Sequence, residues 1–124
     1  MYMSYLRRNA LSFLKEAERD FNEGEFNLAM FHLEQALQLA LKYTLYERTG
    51  TFKRTHDVME LLEDIVKLTN NDKLRELLEK EASLLDLLRQ AYIGARYLPI
   101  QYNRKSVQEA LNLVRMILHE LELL

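Results

Sequence analysis

The sequence predicts an all-α protein, a five-helix up-and-down bundle with four long helices and one short helix. Only 3 glycines and 1 proline occur in 124 residues, which leaves room for few turns and favours long helices. Leucine is abundant and β-branched residues are sparse, a bias that favours helix over strand. Apolar residues make up 48% of the chain and recur every three or four positions, as in helices with one buried face. We expect residues 1–124 to form a single domain.

The first two helices are predicted as an antiparallel hairpin over residues 4–22 and 25–48, with the break at Gly24. The apolar stripe of the first helix consists of Met3, Leu6, Ala10, Phe13, Ala17 and Phe21. The stripe of the second consists of Ala29, Leu33, Ala36, Leu37, Ala40 and Tyr43. Because three of these residues are alanines, we expect another helix to approach the second one closely.

Three more helices are predicted after the polar loop that contains Gly50. The third and short helix covers residues 57–68, and the fourth runs unbroken over residues 72–95. Pro99 disfavours helix at the residue before it and so ends the fourth helix. The fifth helix covers residues 105–123, and its cap is either Ser106, in a capping box with Glu109, or Asn103.

Composition and spacing argue against several classes of function. The net charge is -2, whereas strong generic affinity for nucleic acid normally needs a basic surplus. The chain has no cysteine, and its three isolated glycines form no phosphate-binding loop. The three histidines, at positions 32, 56 and 119, lie on separate elements. We therefore predict no metal and no cofactor, and these features identify no catalytic residue.

The N-terminal stretch is too charged for a signal peptide, and no uncharged apolar run reaches about 18 residues. These two observations predict a cytoplasmic protein without contact to a membrane.

The stretch FHLEQALQLALK, residues 31–42, carries a second stripe beside the core face of the second helix. His32, Gln35 and Lys42 alternate with Leu39 and Tyr46 at spacings of three and four, so that they share a narrow arc. Such a mixed stripe is either the ordinary boundary between core and solvent or one wall of a binding groove.

The chain contains EGEFNLAMFHLEQALQLALKYTL, THDVMELL and AYIGARYLP in this order, and these three segments resemble the signatures of the HEPN domain family. In EGEFNLAMFHLEQALQLALKYTL, residues 23–45, Gln35, Ala36 and Lys42 match the first signature. THDVMELL, residues 55–62, resembles the second signature, a histidine followed by a leucine pair. AYIGARYLP, residues 91–99, resembles the segment at the end of the family's fourth helix. The matching residues in these two segments are His56, Leu61, Leu62, Tyr92, Ile93, Arg96 and Tyr97.

The resemblance implies a homodimer that works beside a minimal nucleotidyltransferase in a toxin–antitoxin-like pair and binds a nucleotide or RNA phosphate. Ribonuclease members of the family resemble one another in an arginine and a histidine that are separated by four to six residues. After Arg96 these positions hold Gln101, Tyr102 and Asn103, so the usual acid–base group is missing. Two alternatives stay open: a divergent metal-independent ribonuclease that uses Arg96 with Tyr97 or Tyr102, and a purely structural dimer without ligand.

We expect Arg96 and Tyr97 to face His32, Gln35 and Lys42 across a cleft that binds an anionic ligand, with His56 nearby. An arginine fork suits phosphate, although a cation at a helix C-terminus also complements the helix dipole. A dimer is further indicated by apolar residues that lie off the core stripes, namely Leu28, Leu39, Leu84 and Leu87.

Overall fold

A computed structural model describes residues 4–124 and consists of six α-helices within that range. They are α1 (Ser4–Asn22), α2 (Phe26–Thr49), α3 (Val58–Thr69), α4 (Asp72–Lys80), α5 (Ala82–Tyr97) and α6 (Arg104–Glu120). The all-α class is therefore confirmed, but the predicted number of five helices is wrong. Met3, assigned to the first apolar stripe, lies outside the described residues.

The difference arises at Glu81, which separates α4 from α5 within the region predicted as one long helix. The backbone of Glu81 has φ -106° and ψ 24°, outside helical geometry, although its N–H still bonds to the carbonyl of Leu77. In an unbroken helix, position 81 would continue the inward stripe of Leu77 and Leu85 and would carry a carboxylate into the core. We attribute the break to this conflict, because an unpaired buried charge is costly and the break leaves Glu81 half-buried.

Helix α2 is the centre of the bundle and packs against α1, α3, α5 and α6. Its alanines at positions 29, 36 and 40 are fully buried, which lets the neighbouring helices approach closely. The core around it also contains Leu33, Leu37 and Leu41 from α2 itself, Leu61 and Ile65 from α3, Leu85 and Leu88 from α5, and Val114 and Ile117 from α6.

Turns and caps fix the ends of these helices. Gly24 and Gly50 adopt left-handed backbone conformations, with φ 77° and 79°, after α1 and α2. Asn103 is the residue that caps α6, since its side chain accepts a hydrogen bond from the N–H of Ser106 at 2.8 Å. Of the two caps that the sequence allowed, the structure therefore uses Asn103.

The segment between α5 and α6 is tied to the first turn of α2 by the side chain of Asn27. Its Nδ2 donates to the carbonyl of Ile100 at 2.7 Å, and its Oδ1 accepts from the N–H of Tyr102 at 3.1 Å. These two bonds hold the backbone that follows Arg96 against α2, and so they help to position the end of α5.

Candidate functional site

Arg96, in the last turn of α5, lies on a platform of three aromatic rings. Its guanidinium carbon is 4.5 Å from the ring centroid of Phe31, 5.2 Å from that of Tyr92 and 4.8 Å from that of Tyr97. Phe31 comes from α2, and the two tyrosines come from α5. We call Arg96 and these three rings the Arg96 platform. Cation–π contacts of this kind hold a guanidinium in place without neutralising its charge.

The hydrogen bonds of Arg96 leave part of the guanidinium available. Nε and Nη2 donate to the carbonyl of Tyr92, with an Nε–O distance of 3.1 Å, and so complement the C-terminal end of α5. Nη1 donates to the hydroxyl of Tyr97 at 3.4 Å. A guanidinium has five N–H donors, so two remain without a protein acceptor among residues 4–124. Arg96 forms no ion pair there, and its side chain is exposed.

A buried carboxylate lies beneath this platform. Glu34 of α2 has no exposed surface, and its two carboxylate oxygens accept hydrogen bonds from Gln35 at 2.7 Å and Gln38 at 2.9 Å. Lys42 donates to Oε1 of Gln38 at 3.1 Å and lies 5.6 Å from the ring centroid of Phe52. We call Glu34, Gln35, Gln38 and Lys42 the Glu34 network.

Burial sets the protonation of this network. It raises the pKa of Glu34 from 4.5 to about 7, although the hydrogen bonds from Gln38 and Gln35 and the charges of Arg96 and Lys42 oppose the rise. Burial also lowers the pKa of Lys42, and the negative charge of Glu34 counteracts part of that effect. The charge of the Glu34 carboxylate therefore changes near neutral pH, and this carboxylate lies beside two cations.

His32 belongs to the contact between α1 and α2. Its Nδ1 is 2.6 Å from Oδ2 of Asp20, a buried residue, which fits an imidazole N–H that donates to the carboxylate. The ring stacks on Phe13 at 5.6 Å and is tilted against Phe31 at 5.5 Å. His32 thus reaches the Arg96 platform only through the ring of Phe31.

His56 reaches the platform from the loop before α3. Its ring is stacked on that of Tyr92, with the centroids 4.0 Å apart and the planes inclined by 2°. Tyr92 therefore contacts both His56 and Arg96. The six predicted residues divide into three groups. Arg96, Tyr97 and His56 meet through aromatic contacts, and Gln35 and Lys42 belong to the Glu34 network. His32 is paired with Asp20 of α1.

Tyr102, at one of the positions where ribonuclease relatives have histidine, is buried against α5. Its hydroxyl lies against Gly94 of α5, where a Cβ would be only 3.2 Å from the oxygen. Tyr102 is 7% exposed, and burial raises the pKa of its phenol. A phenol whose pKa is raised is a weaker candidate for a general base at neutral pH.

Exposed apolar side chains surround the end of α5. Ile93, Tyr97, Leu98 and Ile100 are 49%, 70%, 51% and 37% exposed, and Leu28 on α2 is 47% exposed. We call these five residues the α5-end patch. Of the residues from which a dimer was predicted, Leu39, Leu84 and Leu87 instead pack against the core of their own chain, and only Leu28 is well exposed.

Three residues of the site were not predicted from the sequence, namely Phe31, Glu34 and Gln38. Phe31 and Glu34 stand next to predicted residues, and Glu34 is an anomaly that the sequence itself shows. It lies four positions after Met30 and seven before Leu41, so that it interrupts a stripe of fully buried apolar residues. A carboxylate at such a position is a signal for a perturbed pKa.

Within residues 4–124, no three His, Asp or Glu side chains are grouped closely enough to hold a metal ion. None of the helices in the same range has an apolar stretch long enough to cross a membrane.

Comparisons with known proteins agree on one family. The family model of the HEPN domain matches residues 3–124 of this chain. The crystal structure of TT1696 from Thermus thermophilus is similar, with a TM-score of 0.79 and 26% sequence identity over 97% of this chain and 95% of that chain. The crystal structure of ST0689, an archaeal HEPN homologue, gives a TM-score of 0.69 and 23% identity over 97% of this chain and 94% of that chain. A search of curated proteins gave no match.

Proposed function

Because this chain belongs to the HEPN domain family, we propose that it is a dimeric cytoplasmic binding module whose Arg96 platform holds a phosphate group of a nucleotide or of RNA. The observation that carries this proposal is the state of Arg96. The guanidinium is held on three rings, forms no ion pair among residues 4–124 and retains two free N–H donors. Charge-assisted bonds to phosphate oxygens use donors of this kind.

Neighbouring groups supply the remaining contacts of the proposed site. Tyr97 is 70% exposed beside Arg96 and offers a ring face on which a base can stack. Lys42, a member of the Glu34 network, adds a second positive charge to the proposed site. His56, stacked on Tyr92, extends the aromatic surface.

The dimer and the partner protein form the second part of the proposal. The α5-end patch places apolar surface around the same helix end that carries Arg96, so that one interface would cover the patch and flank the site. Membership of the family supports a minimal nucleotidyltransferase as the partner, in a toxin–antitoxin-like pair. Co-expression with the product of the adjacent reading frame tests this, and a complex containing a nucleotidyltransferase is the expected result.

Ligand binding is tested by titration of the wild type with ATP and with a short single-stranded RNA, while the mass of the complex is monitored. We expect Arg96→Ala to weaken binding about tenfold to a hundredfold, as loss of a charge-assisted contact does. Lys42→Ala should have a smaller effect, and added salt should weaken wild-type binding.

The matched control is Arg89→Ala. Arg89 lies on the same helix, but it is paired with Asp86 and lies 3.6 Å from Asp57, so its loss should leave ligand affinity unchanged. If wild type shows no saturable binding at millimolar ligand, the proposal is wrong. If Arg96→Ala and Lys42→Ala alter only the mass, the purely structural dimer is favoured.

A further inference from the structure

A second concave surface lies between the C-terminal part of α2, the loop after it and α3. It is an open groove of about 640 Å³. This volume lies within the range of roughly 300–1,000 Å³ that is typical of sites for small ligands. Neither Arg96 nor any other member of its platform lines the groove.

The walls of the groove are mostly apolar. Leu45 forms part of the lining and is 6% exposed, whereas Leu68 at the edge is 45% exposed. Phe52 contributes an aromatic ring that is packed against the core cluster. An apolar ligand in this groove would remove the exposed part of Leu68 from water, which is favourable in proportion to the area covered.

The two lysines that line the groove differ in their ion pairing. Lys53 pairs with Asp64 at 3.3 Å and also lies 3.8 Å from Glu60, so its charge is balanced by carboxylates. Lys67 also lines the groove and forms no ion pair among residues 4–124. The groove therefore combines an apolar interior with one ammonium group, that of Lys67, which has no ion-pair partner among residues 4–124.

We propose that this groove binds a small amphiphilic molecule with an apolar body and a single anionic group. The body would lie between Leu45, Phe52 and Leu68, and the anionic group would lie near the ammonium of Lys67. A protein partner fits less well. Stable protein interfaces bury roughly 1,200–2,000 Å², whereas Leu68 is the only large apolar residue of this lining that is strongly exposed.

The test uses two fluorescent probes of similar shape and different charge. One is 8-anilinonaphthalene-1-sulfonate, which is anionic, and the other is N-phenyl-1-naphthylamine, which is neutral. We expect the folded wild type to bind each probe saturably at one site per chain. Lys67→Glu should weaken binding of the sulfonate probe about tenfold and change the affinity for the neutral probe by less than about twofold.

Three further variants locate the site. Leu68→Ser removes apolar wall and should weaken both probes. Lys73→Glu makes the same charge change on α4 outside the groove and should affect the binding of neither probe. Leu98→Ser removes apolar surface from the α5-end patch and should likewise leave the binding of both probes unchanged. In ¹H–¹⁵N NMR spectra of the wild type, probe-induced shifts should centre on Phe52 and Leu68. Shifts centred on Leu98, or equal responses to Lys67→Glu and Lys73→Glu, would overturn the proposal.

Discussion

Gln38 donates a hydrogen bond from Nε2 to a carboxylate oxygen of Glu34, 2.9 Å away, one turn earlier on the central helix. The bond satisfies an acid that has no exposed surface, and a second bond from Gln35 occupies the other oxygen. Protein amides thus replace water around Glu34, but they do not cancel the effect of burial on its pKa. The most direct predictions concern pH.

The contribution of Glu34 to the stability of the fold should decrease as the pH rises towards neutrality. The folded state holds the Glu34 proton more tightly than the unfolded chain, because burial raises the pKa from 4.5 to about 7. The resulting stabilisation is fully present below about pH 4.5 and is lost as the pH rises through about 7, and it amounts to roughly 3 kcal/mol. Urea unfolding at a series of pH values measures it.

Glu34→Gln provides the comparison for this measurement, because it removes the titrating group while keeping a side chain of nearly the same shape. We expect the part of the pH dependence that is due to Glu34 to disappear in this variant. Glu63→Gln changes an exposed carboxylate on α3 and should retain the wild-type profile. Identical profiles for wild type and Glu34→Gln would show that Glu34 does not titrate in this range.

Binding of RNA at the proposed site should strengthen as the pH falls. Ionised Glu34 offsets the positive potential of Arg96 and Lys42, and its protonation removes that offset. An oligouridine is a suitable ligand because its phosphodiesters and bases do not titrate between about pH 5.5 and about pH 8. Over this interval we expect affinity for it to rise about threefold to tenfold. Histidine protonation contributes equally to the pH dependence of the wild type and of Glu34→Gln. The difference in pH dependence between these two proteins therefore isolates the effect of Glu34.

The wild type should be a dimer at micromolar concentration, with twice the 14.8 kDa mass of one chain. A charge placed in the α5-end patch by Leu98→Glu or Ile93→Glu should shift it to the monomer, because the new carboxylate would be desolvated in the interface. Met116→Glu is the control, since Met116 is 45% exposed on α6 and lies outside the patch. Sedimentation that finds only monomer in the wild type contradicts the dimer.

We expect no strong metal-independent cleavage of RNA. Gln101, Tyr102 and Asn103 occupy the positions of the histidine found in ribonuclease relatives, and burial raises the pKa of Tyr102 further from neutrality. The measurement is cleavage of a labelled RNA in the presence of a chelator. Robust activity that disappears in Arg96→Ala would contradict the prediction and would favour the divergent ribonuclease.

Periodicity predicted most of the fold because most apolar residues repeat at the helical spacing. The predicted bounds of the first three helices differ from those observed by one residue or less at each end. Periodicity failed at Glu81, where the surrounding residues are good helix formers and the conflict arises only when Leu77 and Leu85 face a common core.

The site was predicted less completely, because its contacts depend on how the helices are placed against one another. Arg96, Tyr97 and His56 were identified from the family resemblance, whereas Phe31 and Glu34 were not. The pairing of His32 with Asp20, twelve positions earlier, depends on the register between α1 and α2. No spacing rule within one helix specifies that register.

The side chain of Asn27 has the same donor and acceptor as a peptide group, and it presents them to the chain as a neighbouring strand would. One side-chain amide at position 27 therefore makes two backbone hydrogen bonds that would otherwise need a paired strand. An aspartate there could accept from Tyr102 but could not donate to Ile100, and a leucine could do neither. The choice of residue at position 27 is consequently governed by a segment more than seventy positions away, and it should relax in any relative whose corresponding connection follows a different path.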